Sequence, residues 1–282
     1  MDEEKVQSPV ELNVDAGRLA RAVLVAGVLV EIALVVLDYH VNFGSAVDIG
    51  AIRRLFNIAR EDGLASWLAT TQTLLIALTL WLIYVSVRHR PGLHWKARAW
   101  LVLALFFSYM AVDDGAQLHE RLGTAMEDWR EASGAHDLSP SYEWQVLFLP
   151  VFGLLGLFLL GFLWRELATR SSRTILVASL ACIAVAVGLD FVEGLASEHP
   201  WNLYTKAADS FDLDPWTMER FGEPGYETLR HFSKSAEEFL EMLAHTLLWF
   251  LLLRHLPDTA GAFHASFRPA RTASVTAVSR MP

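Results

Sequence analysis

The chain has 282 residues, 53% of them hydrophobic, with a mean hydropathy of +0.31 and a formal net charge of -9. That hydrophobicity, gathered into long blocks, excludes an ordinary soluble domain, and the acidic balance without a basic stripe disfavours nucleic acid as a partner. A single cysteine, Cys182, excludes an intrachain disulfide and a thiolate metal cluster.

Residues 1–17 are polar and acidic and read as a cytoplasmic arm without a cleavable signal peptide. The first apolar helix is expected at about 18–38. It carries Glu31 and Asp38 on one face, with Glu31 roughly 12 Å inside the outer end at 1.5 Å per residue. The connection 39–65 contains 48-DIGAIRRLFNIAR-60, whose apolar residues at helical spacing predict an amphipathic helix on the membrane surface. Helix two, about 66–87, opens with Thr70, Thr71, Gln72 and Thr73, expected to be interhelical hydrogen-bonding residues.

The third helix, about 98–120, ends in 113-DDGAQLHE-120. Asp113 and Glu120 share a face, Asp114 lies about 100° away, and His119 falls on the other side unless Gly115 allows a distortion. The stretch 121–143 reads as a plain connection. Helix four, about 145–164, is apolar throughout, with glycines expected at close-packing positions. Helix five, about 174–196, ends with the pair Asp190 and Glu193. The long loop 194–235 is rich in aromatic residues and reads as a lid or an interfacial belt.

The last apolar helix, about 236–255, carries Glu238, Glu241 and His245 as a polar stripe, with Ser235 and Glu238 spaced as a capping box. Residues 257–282 form a basic tail expected to lack fixed structure. Lys and Arg concentrate in the segments 88–98 and 165–173, which places both termini in the cytoplasm and the acidic helix ends outside.

These elements predict an all-α polytopic membrane protein with six transmembrane helices in one bundle spanning 18–256, in a plasma or inner membrane and in contact with its lipids. Ionisable groups at membrane depth are expensive to leave unpaired, so the stripes are expected to face one another. Asp113, Asp114, Glu120, Asp190, Glu193, Glu238, Glu241 and His245 are the expected ligands of a divalent metal ion, iron, manganese or zinc. Glu31 and His119 are the expected proton-handling groups. A metal-dependent hydrolase or oxidoreductase acting on a lipid-like substrate is the leading expectation. A cation or proton transporter, and a structural or sensing module, are the alternatives.

Overall fold

The computed structural model describes residues 15–44, 46–134, 136 and 139–260. Most of the acidic arm and of the basic tail lie outside the described residues. Among the described residues the chain is all-helical, without strands. Helices α1 (Ala16–Asp38), α2 (Gly50–Phe56), α3 (Leu64–Arg88), α4 (His94–Ala116) and α5 (Leu118–Ser133) are followed by α6 (Glu143–Glu166), α7 (Arg170–Glu193), α8 (Leu203–Ser210), α9 (Asp214–Phe221) and α10 (Gly225–Ala260), and a π-helical turn, Tyr39–Phe43, extends α1. Six of these helices, α1, α3, α4, α6, α7 and α10, are long and apolar enough to cross a membrane.

Local chemistry sets the ends. The Asp15 carboxylate accepts from the Arg18 amide at 3.0 Å to start α1, Thr169 Oγ1 caps α7 through the Ser172 amide, and Asn202 caps α8. Helix α10 is the axle of the bundle, packing against α1, α3 and α7, while α3 packs on α4 and α6 touches α5 and α7. Below the polar end, Ile76, Leu80, Ile83, Trp100, Leu103, Leu248, Leu251 and Leu252 close into one dry core. Leu29, Leu154 and Leu157 face outward, as suits helices bathed in lipid.

Six expectations are corrected. The last helix begins at Gly225, directly after Pro224, and not near residue 236, so Ser235 lies inside it and its hydroxyl bonds Asp38 Oδ2 and the His231 carbonyl rather than capping a helix. At 36 residues it is about 54 Å long, more than a bilayer core needs, and its first turns are polar. The connection 121–143 is largely helix α5, and the loop 194–235 is built from α8, α9 and the start of α10. Helix α10 likewise runs on past residue 256, into the stretch expected to form the tail. The surface helix of 48–60 is shorter, Gly50–Phe56, and the glycines of α6 are not close-packing positions: a Cβ at Gly153, Gly156 or Gly161 would meet nothing within 4 Å.

Because the long helices alternate in direction, the ends of α1, α4 and α7 and the starts of α3, α6 and α10 meet at one end of the bundle. That end holds the carboxylates.

Candidate metal centre in an acidic cavity

Helix periodicity builds one wall. Lys234, Glu238, Glu241 and His245 follow at steps of three or four residues along α10, with Glu237 three after Lys234 and four before Glu241, so they share its inward face. They line a cavity of about 120 Å³, together with Asp190 from α7, Asp113 and Asp114 from α4, His119 and Glu120 from α5, Glu61 from the α2–α3 connection and Trp144 from α6. Of the expected ligands, Asp113, Asp114, Glu120, Asp190, Glu238, Glu241 and His245 line this cavity and Glu193 does not.

The opposite wall depends on a backbone break. Gln117 adopts φ 55°, ψ 41°, a left-handed conformation rare for a side-chain-bearing residue, and it separates α4 from α5. This break, not a distortion at Gly115, turns His119 back towards Asp113. Asp113, fully buried, then accepts from the His119 amide at 2.9 Å and pairs with His119 Nδ1 at 2.6 Å, so one carboxylate both caps α5 and orients the imidazole. Trp144 lies edge-on to the ring at 4.7 Å. Thr73 Oγ1 donates to Asp114 at 2.7 Å, and the Gln117 amide donates to Glu61.

Lys234 lies inside the acidic cluster, because α10 starts early enough to include it. Its Nζ is 2.8 Å from Glu237, 3.6 Å from Glu193, 3.7 Å from Glu238 and 3.9 Å from Asp190. Gln145 donates to Asp190 at 2.8 Å and Arg230 to Glu193 at 3.3 Å. Among the described residues, one group of three ligand atoms lies within 4.8 Å of one another, from Asp190, Glu193 and Glu237, and Glu241 and His245 join no such group. His245 Nδ1 is buried without a hydrogen-bond partner.

Both acids of α1, Glu31, expected at the site, and Asp38, stand apart from the cavity. Glu31, 0% exposed, accepts from Gln72 Nε2 at 2.8 Å and Thr246 Oγ1 at 2.6 Å and does not line the cavity. Asp38 pairs with His231 at 2.9 Å and Ser235 at 3.1 Å. Residues 194–233, read as a lid, contribute nothing to the lining either. Lys234 and Glu237 carried a sequence signal, their i, i+3 spacing, whereas Glu61 and Trp144 reach the cavity only through tertiary structure.

Two groups lining the cavity hold their protons more tightly than free side chains. Burial, reinforced by neighbouring Glu61, pushes the Glu120 carboxyl up to about 7. For His119, burial alone would lower the pKa, but the Asp113 carboxylate together with Glu120 and Asp114 outweighs it and the net shift is upward. Each group binds its proton more tightly in the fold than in the unfolded chain. Ionised Glu120 therefore weighs against the fold as pH rises from 4.5 towards 7, and the charged His119–Asp113 pair is lost as pH rises through the raised histidine value. Both contributions have the same sign, so the thermal midpoint in detergent should fall between about pH 6 and 8. The check is the slope of midpoint against pH, which should be shallower in His119→Asn/Glu120→Gln than in wild type; equal slopes would rule these residues out as its source.

Over residues 19–256 the chain matches the family model described as "Domain of unknown function (DUF8692)". No curated protein and no solved structure matches it.

Proposed function

We propose that this chain, which belongs to the family of the domain of unknown function DUF8692, is a membrane enzyme that uses a divalent metal ion in its acidic cavity to act on a lipid-like substrate. The observation that carries this reading is the pairing of Glu241 and His245, one turn apart on α10, on the wall of a cavity lined by eight carboxylates and one lysine. A bound cation offsets that excess of negative charge, and a mixed carboxylate and imidazole set suits iron, manganese or zinc. Asp114 and Glu238 line the same space and complete the donor set by type.

The metal would supply Lewis acidity and a reactive bound water. His119, held by Asp113 at 2.6 Å, has the orientation a general base requires, a proton acceptor aimed by a second group. This favours hydrolysis over oxygen chemistry. Trp144 at the cavity and the apolar outer faces of the helices suit a substrate arriving from the bilayer.

A proton or cation conduit is the second reading, favoured by one observation: the Glu31, Gln72 and Thr246 triad adjoins the cavity wall through the neighbouring residues Thr73 and His245. The apolar layer of Ile76, Leu80, Leu248 and Leu252 weighs against a continuous path.

Elemental analysis of detergent-purified protein tests the metal. Wild type should carry about one iron, manganese or zinc ion per chain, and Glu241→Gln and His245→Ala should each lose it while remaining monodisperse. Wild type that binds none of the three after reconstitution would overturn the enzyme reading, and pH-dye flux in proteoliposomes would then test the conduit.

A further inference from the structure

We infer that the Lys234 ammonium fills a second divalent-cation position at the cavity wall, a tethered stand-in whose withdrawal opens a site made by Glu193 with Asp190 and Glu237 of the lining. The carboxylates are arranged as ligands held from behind. Asp190 is held through Oδ2 by Gln145 and turns Oδ1 towards Lys234, while Glu193 is held through Oε1 by Arg230 and turns Oε2 towards the same nitrogen. Hydrogen-bonding a ligand's far atom so that its near atom points at a shared centre is how outer partners orient metal ligands. One oxygen from each of the three carboxylates lies within 4.8 Å of the other two, a span that one ion with bonds of about 2.0–2.6 Å bridges.

The ammonium serves this cage incompletely. It is within hydrogen-bonding distance of Glu237 Oε1 alone, and the other contacts are 3.6–3.9 Å. Glu237, 3% exposed and on the cavity wall, keeps Oε2 buried without a hydrogen-bond partner, as does Glu193. A divalent ion would add a second charge and reach several oxygens at once, where one ammonium cannot. Lys234 stands on the same helix three residues before Glu237, on a flexible stem that can swing out without moving the backbone. The cavity is thus built for two cations, one of them supplied by the chain, and Lys234 competes with the second ion and regulates its entry.

This rests on the reading of the cavity as a metal site, but it is tested by a difference. Equilibrium dialysis of detergent-solubilised full chain against Mn²⁺ should show Lys234→Met, or Lys234→Gln, binding one ion per chain more than wild type, with Lys234→Arg showing no gain. Adding Glu237→Gln to Lys234→Met should remove the extra ion. Wild type, which needs no variant to fold, should admit the extra ion only at concentrations at least about tenfold higher. Equal counts in wild type and both neutral variants, a gain that survives Glu237→Gln, or a wild-type titration with no weak second ion at millimolar Mn²⁺ would overturn the inference. A wild type without an ion at Glu241 and His245 would overturn the proposed function, and the difference of one ion would still decide this one.

Discussion

Asp113→Ala is expected to cost about 3–5 kcal/mol of stability, the range for removing one member of a buried charged pair. The carboxylate is fully buried and takes three donors: the His119 amide at 2.9 Å, His119 Nδ1 at 2.6 Å and the Tyr109 hydroxyl at 3.4 Å. Without it the first turn of α5 loses its cap and the imidazole its orienting partner, while the left-handed Gln117 still costs about 1–2 kcal/mol. Asp113→Asn should lose less, because its amide oxygen can still accept from the backbone, but the negative charge that raises the His119 pKa is gone. Circular-dichroism melting in detergent measures the first effect and the NMR titration of the His119 ring the second. An Asp113→Ala midpoint equal to that of wild type would mean that the elbow is held by something else.

The helical bundle was legible because burying or lipid-bathing about 20 apolar residues leaves a long, continuous signal. The convergence of Glu238, Glu241, His245, Asp113, Asp114 and Asp190 was legible as well, since unpaired charges on greasy rods must face one another. Three features were hidden for physical reasons. Residues 225–235 are polar, so a hydropathy pattern ends α10 too late at its start, and Lys234 then falls outside the span although its spacing to Glu237 and Glu238 is visible. The break at Gln117 was not visible because left-handed turns announce themselves through glycine, and here a glutamine adopts one, held by bonds to Glu61 and Arg121. Glu31 looked like a site residue by depth alone. Depth says that a carboxylate needs partners, and Gln72 and Thr246 serve its Oε1 away from the cavity, while Oε2 keeps no hydrogen-bond partner.

Arg130→Ala should likewise cost about 3–5 kcal/mol, and its consequence reaches the cavity through Trp144. Arg130 on α5 donates to Glu143 at the start of α6, and both side chains are buried. The same hairpin brings α5 so close to α6 that a Cβ at Gly123 would sit 2.8 Å from Trp144 Cβ and 2.9 Å from its amide nitrogen. The ion pair and this contact together fix where Trp144 stands, and Trp144 is the ring packed at 4.7 Å on His119. Truncating Arg130 leaves the Glu143 carboxylate buried without its guanidinium, so the loss exceeds the value of the contact itself. Replacing both partners with uncharged residues, Arg130→Met with Glu143→Gln, should recover part of it, because neither buried charge then stays behind without the other. Thermal melts of the two single variants and the double variant form the cycle that measures this coupling. Losses that simply add would show that the pair does not staple the hairpin, whereas a double variant more stable than Arg130→Met alone would identify the buried charge pair as what holds α5 and Trp144 over the acidic cavity.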